Sequence, residues 1–338
     1  MSIKKYYFNL KSVIAIVIFS VKMSYCFAIT GLCHCEPFYW AKQSFRNIGL
    51  LGLFFVFFTV TPAHADKIKA VATFSVIADM VRHVAGDSID LLVLVGPNAD
   101  AHEYEPVPAD SVHISKADII FENGLHLEHW LDKLYTASGT KAKRIIVSRG
   151  VSVRTMGDNP QESDPHAWQD VTNVILYAQN ICDALVVLDP VNRVKYEAQT
   201  KDYVKQLQAL DGWVKAQVAL ISVEKRKLVT NHDALGYFAR RYGFQIIGAV
   251  IPSATTEAAD PSALQTAQLL DIIKKNNVRA IFSENMANLK LAQTLSKEAG
   301  VAVGPELYTD ALGVIGSDAQ TYIQMIKHNV KIFVEYLK

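Results

Sequence analysis

The sequence predicts an α/β protein of two lobes, each with a parallel sheet flanked by helices, joined by one long backbone helix. Short β-branched runs alternate with amphipathic helical patterns, first from Lys67 to Leu188 and again from Lys227 to the end. Such alternation is typical of βαβ units and parallel sheets. A long helical pattern lies between the two halves and separates them.

In the first half, four apolar runs predict the strands of one sheet. They are Ile68 to Thr73, Ile89 to Val95, Ile119 to Glu122 and Arg144 to Val147. The segment from Ser75 to Ala85 predicts a helix, because its apolar residues fall on one face. We expect Ser75 to cap this helix.

The longest helical pattern in the chain runs from Pro190 to about Ile221. Asp189 can cap it, and proline suits the first turn of a helix. At 1.5 Å per residue, the pattern would make a rod of roughly 45 to 48 Å. We expect this helix to join the lobes and to limit their hinge opening. The alternative is a long surface helix of one domain.

The second half repeats the alternation. Its predicted strands are Lys227 to Thr230, Ile246 to Val250, Ala280 to Phe282 and Val301 to Val303. Residues 66–338 are also more than one hydrophobic core usually serves, which favours two domains. We therefore predict an N-terminal lobe at 66–189, a linker helix at 190–221 and a C-terminal lobe at 222–338.

The first 65 residues form an N-terminal extension that ends in a signal peptide. Lys42 and Arg46 make a basic region, residues 48–60 an apolar run, and Ala63-His64-Ala65 a small-x-small cleavage site. We expect cleavage after Ala65. A permanent anchor is less favoured, because a spanning helix needs roughly 20 apolar residues.

The stretch from Met1 to Ala41 has an apolar run of its own and three cysteines, Cys26, Cys33 and Cys35. Either a start codon placed too far upstream or an additional membrane segment would explain it. The cluster around Cys33 lacks a second ligand pair at zinc-finger spacing. A lipid anchor is not favoured, because no small residue precedes Cys33.

Residues 66–338 hold 28 Lys and Arg against 32 Asp and Glu, and one cysteine, Cys182. This mildly acidic balance, without a basic stripe interleaved with aromatics, predicts no nucleic-acid partner. Cys182 lies in the apolar helical run Ile175 to Leu188, which predicts a buried thiol rather than a nucleophile. Export without an internal disulfide indicates a soluble protein of the bacterial periplasm, and we expect a monomer.

Three histidines and one aspartate each follow a strand-like run. They are His102, His166, His232 and Asp310, at separations of 64, 66 and 78 residues. In open α/β sheets, ligands bind beyond the carboxyl ends of the strands. Imidazole nitrogen and carboxylate oxygen hold a divalent cation such as Zn²⁺, and four such donors complete a tetrahedron. Since two come from each half, we expect a metal in the cleft between the lobes, carried rather than used for chemistry.

The remaining histidines of this region do not share that placement. His126 and His129 are three residues apart on a predicted helix, and could share a metal, but we interpret them as a solvated pair. His83, His113 and His328 fall within helical patterns and are interpreted as structural or surface residues.

Several segments carry a resemblance to a known family. They are Gly96 to Pro106, Ala117-Asp118, Asn123-Gly124, Leu127-Glu128, Asp164-Pro165-His166-Ala167-Trp168, Asn231-His232-Asp233-Ala234, Tyr237-Phe238, Phe282-Ser283-Glu284 and Leu307-Tyr308-Thr309-Asp310-Ala311-Leu312. With them, residues 67–338 resemble the periplasmic metal-binding proteins of cluster A-I, which feed zinc or manganese to ABC importers. The resemblance implies two α/β lobes joined by one long helix, with ligands at the same four positions.

Two features bear on the choice of metal. Three imidazoles and one carboxylate favour zinc, because Mn²⁺ is the weakest binder in the affinity series for such sites. Manganese-type members of the resembled family often have glutamate where this chain has His232. Zinc-type members often have a long His-rich loop, whereas residues 124–140 hold only His126 and His129. A bidentate Asp310 could raise the coordination number, so manganese or dual use stays the alternative.

The expected cycle is capture of the cation, closure of the lobes, docking on a membrane permease and release. The chain has no G-x-x-x-x-G-K-[ST] phosphate loop and no set of spanning helices. We therefore expect an ABC permease in the inner membrane and its cytoplasmic ATPase as partners. Glu284 and Glu257 are candidates for orienting a histidine.

Two rival functions are less favoured. A secreted zinc hydrolase would need an open coordination position, and the sequence has no H-E-x-x-H. A relative that binds no metal and acts as an adhesin or chelate receptor is the other alternative.

Overall fold

The computed structural model describes residues 67–156, 159–251, 261–285 and 289–338. The signal peptide predicted to end at Ala65, the three cysteines before it and Glu257 lie outside these residues.

The first half forms a four-stranded parallel sheet in the order β2-β1-β3-β4. Its strands are β1 (Ile68–Phe74), β2 (Ile89–Val95), β3 (Ile119–Glu122) and β4 (Lys143–Ile146). The central strands β1 and β3 are almost continuously buried, since helices cover both faces of a parallel sheet. All four predicted strands are present, with β4 beginning one residue earlier than predicted.

Four helices accompany this sheet. They are α1 (Ser75–Ala85), α2 (Pro108–Ser115), α3 (Leu131–Ser138) and α4 (Val171–Leu188). The prediction that Ser75 caps α1 is wrong. The cap position is Phe74, and the Ser75 hydroxyl accepts a hydrogen bond of 3.0 Å from the backbone N–H of Leu312. A residue expected to start a helix instead ties it to the loop of Asp310.

The segment of His126 and His129 is not helical, contrary to expectation. Gly124, Leu125 and His126 are all in the left-handed region, with φ of 75°, 55° and 66°, and α3 begins only at Leu131. Three such residues in succession make a turn and cannot start a right-handed helix. The i, i+3 geometry assumed for the two histidines therefore does not apply.

The long helix is shorter than predicted. A 3₁₀ turn, Pro190–Asn192, comes first, and Asp189 caps that turn by accepting from the backbone N–H of Asn192. The helix α5 then runs from Arg193 to Val218, 26 residues and therefore about 39 Å. It packs against α1 and α4 of the first half and against the C-terminal helix of the second half.

The second half contains two parallel strand pairs. β7 (Lys227–Thr230) pairs with β8 (Gln245–Ala249), and β9 (Ala280–Glu284) with β10 (Ala302–Leu307), while β7 lies beside β9. The helices are α6 (Gly236–Tyr242), α7 (Ala263–Lys275), α8 (Leu289–Ala299) and α9 (Tyr322–Leu337). A short antiparallel pair, β5 (Thr155–Met156) and β6 (Asn159–Ser163), follows the first sheet.

One hydrophobic core spans both halves. It includes Phe74 and Trp168 from the first half and Phe282 and Phe333 from the second. Helix α4 is long and apolar enough to cross a membrane, but half of it is buried inside the protein, as in a core helix. Cys182 lies on α4 and is buried, as predicted. The shared core holds the strand ends of the two halves beside each other.

Candidate metal centre

The four predicted residues come together beyond the ends of four strands. His102 lies in the loop after β2, His166 in the turn after β6, His232 just beyond Asn231 at the end of β7, and Asp310 after β10. All four side chains are buried, with at most 1% exposure. The parallel strands β2, β7 and β10 direct their carboxyl ends at one place, and the turn after the antiparallel strand β6 brings His166 to it.

The donor atoms of these residues have the spacing of one coordination shell. Nε2 of His166 lies 3.2 Å from Nε2 of His102 and 3.3 Å from Nε2 of His232. The Asp310 oxygens lie 2.9 Å, 3.4 Å and 3.6 Å from the nearest nitrogens of His232, His102 and His166. A tetrahedron with bonds of 2.0–2.1 Å has edges of roughly 3.3 Å. The four side chains therefore leave room for one cation.

Asp164 fixes the orientation of His166. Its Oδ1 accepts from the backbone N–H of His166 at 3.0 Å and lies 2.8 Å from Nδ1 of the same residue. Because an ionised carboxylate only accepts hydrogen bonds, the imidazole proton is on Nδ1. The lone pair of Nε2 is then directed into the site. Arg154 pairs with the other oxygen of Asp164 at 2.6 Å.

Glu284 plays the same part for His232. Its Oε2 lies 2.6 Å from Nδ1 of His232, and its Oε1 accepts from the backbone N–H of His232 at 3.1 Å. The hydroxyl of Thr309 donates to Oε2 of Glu284 at 2.9 Å. One buried carboxylate therefore holds both the His232 loop and the residue before Asp310. This is the orienting role expected of Glu284.

The loop of Asp310 is also tied to the loop of His166. The Trp168 indole N–H and the Gln169 side-chain amide both donate to the Thr309 carbonyl, each at 2.8 Å. These residues follow His166 in a 3₁₀ turn, Ala167–Gln169. The contacts cross from the first half to the second and fix the separation of His166 and Asp310.

The charges at the site act on one another strongly. Burial alone would lower the pKa of His232, but the carboxylates of Glu284 and Asp310 raise it well above its usual 6.5. Burial alone would raise the pKa of Asp310, but the imidazoles of His232 and His166 lower it well below its usual value. The carboxylate therefore stays ionised although it is fully buried.

The donor set fits a cation. Both oxygens of Asp310 are buried, and their nearest neighbours are imidazole nitrogens of the three histidines at 2.9 to 3.6 Å. With its proton on Nδ1, His166 directs a lone pair at the same point as this carboxylate. Converging lone pairs repel one another unless a positive charge lies between them, and a buried carboxylate is costly without a partner. A divalent ion would satisfy all of these atoms at once.

The remaining sequence candidates are placed elsewhere. Within the ranges that the structure describes, no other group of three or more His, Cys, Asp or Glu side chains is arranged to hold a metal. His83, His113 and His328 lie on helices α1, α2 and α9, as expected. Glu257 lies outside the described residues.

Sequence reasoning missed Asp164 and Arg154 as parts of the site. Asp164 had a local signal, since an aspartate two residues before a histidine can accept from its backbone N–H. Arg154 had none, because its partners are 10 and 79 residues further along the chain.

Comparisons with known proteins give a consistent picture. The family model for the periplasmic zinc-uptake complex component A, ZnuA, matches residues 70–336. The manganese-binding lipoprotein MntA of Halalkalibacterium halodurans is 36% identical over 279 residues, covering 82% of this chain and 91% of MntA. The iron ABC transporter substrate-binding lipoprotein MtsA of Streptococcus pyogenes is 36% identical over 282 residues, covering 79% of this chain and 88% of MtsA.

A solved structure extends the likeness to the fold. The periplasmic zinc-binding protein TroA of Treponema pallidum superposes with a TM-score of 0.74 at 30% identity. The match covers 80% of this chain and 99% of TroA.

Proposed function

The chain belongs to the family of periplasmic zinc-uptake components, and we propose that it captures Zn²⁺ outside the cytoplasm and delivers it to an ABC importer. As a member of this family it is a metal-binding substrate-binding protein and not an enzyme. The ligands in this proposal are His102, His166, His232 and Asp310. The observation that carries it is the convergence of their donor atoms, all within 4.8 Å of one another and all buried.

Zinc is proposed on the chemistry of the donors. The relatives named above bind manganese, iron and zinc, so membership of the family alone does not select a metal. Three neutral imidazoles and one carboxylate are borderline donors that prefer Zn²⁺ to Mn²⁺ in the divalent affinity series. The donor separations near 3.3 Å also support the short bonds of tetrahedral zinc.

Manganese is the alternative, and one observation favours it. Both oxygens of Asp310 face the imidazoles, one toward His166 and the other toward His102 and His232. A bidentate carboxylate would make a five-coordinate shell, which suits Mn²⁺ better than a closed tetrahedron.

The cycle needs partners that this chain does not supply. We infer an inner-membrane permease that receives the ion and a cytoplasmic ATPase that powers transport. We also propose export with cleavage after Ala65, a monomeric state, and the boundaries 66–189, 190–221 and 222–338 for the two lobes and the linker helix. The named relatives MntA and MtsA are lipoproteins, so mass spectrometry of the exported chain is the test of its mature start.

Metal titration tests the proposal directly. Protein stripped with a chelator is titrated with Zn²⁺, Mn²⁺ and Fe²⁺ by competition with a chromophoric chelator. We expect one equivalent of zinc to bind most tightly, and His166→Ala or His232→Ala to weaken binding by orders of magnitude without unfolding. His113→Ala, on the exposed face of α2, is the matched control. Unchanged zinc affinity in the His166 variant would overturn the ligand assignment, and tighter manganese binding would overturn the choice of zinc.

A further inference from the structure

Arg154 joins two carboxylates that belong to different halves of the chain. Its Nη1 lies 2.6 Å from Oδ2 of Asp164, and its Nη2 lies 4.0 Å from Oδ2 of Asp233. The Arg154 side chain is 24% exposed, whereas Asp164 is fully buried and Asp233 is 19% exposed. The guanidinium therefore lies at the edge of the site, with both partners on its inner side.

Each of these carboxylates sits beside a proposed ligand. Asp164 holds both the backbone and the ring of His166. Asp233 directly follows His232, and its Oδ1 is buried without a hydrogen-bond partner in the part of the chain that the structure describes. Arg154 is therefore the cation that links the loop of His166 to the loop of His232.

The position of the guanidinium is fixed by its surroundings. The backbone N–H of Arg154 donates to the Tyr237 hydroxyl at 2.9 Å, and that hydroxyl donates to the Asp164 carbonyl at 3.2 Å. The backbone N–H of Asp164 in turn donates to the Arg154 carbonyl at 2.8 Å. Gly236, the first residue of α6, leaves the space the side chain needs, since a methyl group there would overlap the guanidinium.

We propose that Arg154 is a positioning residue that couples the two halves of the metal site. It orients His166 through Asp164 and holds the His232 loop in register through Asp233. The Asp233 contact forms only when the halves have the arrangement seen here, so Arg154 favours the metal-binding geometry over an open one. Arginine suits this task because its planar fork can serve two carboxylates at once, whereas a lysine ammonium is a single point charge. The proposal rests on the proposed function.

Substitution with a spectroscopic readout tests this role. The chelator-stripped protein is loaded with Co²⁺, whose visible absorption reports the geometry of its ligands. In Arg154→Gln we expect affinity for Co²⁺ and Zn²⁺ to fall roughly 10- to 100-fold, the range typical for loss of an outer-shell partner. We also expect the Co²⁺ bands to change and dissociation to accelerate, because His166 is no longer held by a fixed carboxylate.

Arg240→Gln is the matched control. Arg240 also packs on Tyr237 and donates to the Ser152 carbonyl, close to Arg154, but among the described residues it forms no ion pair with Asp164 or Asp233. We expect its affinity and Co²⁺ spectrum to equal those of the wild type. An equal loss in both variants would show that general packing is responsible and would overturn the proposal.

Two further variants keep the test decisive if Arg154→Gln does not fold. Arg154→Lys retains the charge beside Asp164 but lacks a second nitrogen to reach Asp233, so we expect an intermediate metal affinity. Wild-type affinity in this variant would overturn the coupling role. Asp233→Asn should weaken metal binding in the wild-type background and have a smaller effect in the Arg154 variants.

If the wild type itself binds no metal, the proposed function fails. If the wild type binds and Arg154→Gln has the same affinity and spectrum, this inference alone fails.

Discussion

Glu284 lies 2.6 Å from Nδ1 of His232 and also accepts the hydroxyl of Thr309 at 2.9 Å. A single buried carboxylate thus contacts two of the four loops that make the proposed metal site. Its charge also favours the imidazole orientation in which Nε2 faces the other proposed ligands, since Nδ1 points at Glu284.

Glu284→Gln is expected to weaken zinc binding roughly 10- to 100-fold while the protein stays folded. The amide has the shape of the carboxylate but no charge, so it orients the ring less firmly and adds no basicity to it. Competition titration with a chromophoric chelator measures the change. Glu298→Gln, an exposed glutamate on α8, is the control and should bind as the wild type does. Equal affinities for the two variants would contradict the role of Glu284.

Metal affinity is expected to fall as the pH falls. Glu284 and Asp310 overcome the effect of burial and raise the pKa of His232, so its proton must leave for a metal to bind. Below that pKa, affinity should drop about tenfold per pH unit for one displaced proton. Competition titrations between pH 5.5 and 8 measure the slope, and a flat profile would contradict proton displacement.

In the metal-free protein, the same raised pKa of His232 acts in the opposite direction, because it stabilises the fold at low pH. A histidine whose pKa is raised by folding stabilises the fold below its unfolded pKa of 6.5, and this contribution is lost as the pH rises through the folded value. Zinc-loaded and metal-free protein should therefore respond to pH in opposite directions.

Glu128 is expected to make the metal-free fold less stable as the pH rises from about 5 to 8. Burial raises the pKa of Glu128 to about 7 from 4.5, against hydrogen bonds from Asn123 and Thr73 that lower it. A raised folded pKa means that the native state holds the proton more tightly, so its stabilising effect is lost as the pH passes 7. The loss is on the order of 3 kcal/mol at most.

Urea unfolding in the presence of a chelator measures this dependence. Glu128→Gln cannot titrate, so its unfolding free energy should vary less between pH 5 and 8, although it loses acceptor capacity toward Thr73. Glu103→Gln, an exposed glutamate, should keep the wild-type slope. A wild-type slope in the Glu128 variant would assign the pH dependence to other groups.

Asn98 is expected to slow the release of metal. It has a φ of 55°, its backbone N–H donates to the Leu312 carbonyl at 2.9 Å, and its side-chain oxygen accepts from the Asn285 amide at 2.9 Å. Both contacts cross between the halves. Asn98→Gly keeps the left-handed backbone accessible but removes the amide contact, worth about 1 kcal/mol.

We therefore expect dissociation from Asn98→Gly to be roughly fivefold faster, with little change in association. Stopped-flow mixing of loaded protein with excess chelator measures it. Asn98→Ala should in addition lose about 1–2 kcal/mol of stability, because alanine resists the left-handed region. Identical release rates in the glycine variant and the wild type would show that this contact does not restrain opening.

The parallel sheet and its strand ends could be predicted because they depend on local patterns. The four strands of the first sheet were predicted to within one residue at each end, since a strand buried on both faces is a continuous apolar run between turns, whereas the short antiparallel pair β5 and β6 was not predicted. His102, His232 and Asp310 each follow a predicted strand, whereas β6, the strand before His166, is polar and was not predicted. Whether a residue follows a strand can be recognised from the local sequence, and the topology of the sheets then brings these strand ends together.

The features that could not be predicted depend on contacts between residues that are far apart in the sequence. Ser75 resembled a helix cap, but its hydroxyl accepts from Leu312, 237 residues later. The turn at Leu125 and His126 is stabilised in a left-handed conformation that helical periodicity does not reveal. In the sequence, Arg154 resembles any surface arginine, and only the fold brings Asp164 and Asp233 close to it.

The dispersal of the four donors also matters for the integrity of the chain. His102 and Asp310 are 208 positions apart, and Cys182 is the sole cysteine after residue 65, so no covalent bridge can form within that region. A bound cation would close three long loops together, and closing a long loop restricts the unfolded chain as a cross-link does. The transported ion would thus also act as a reversible cross-link. After a single proteolytic cut between the ligands, a bound ion would therefore still link the two fragments, in addition to the core they share.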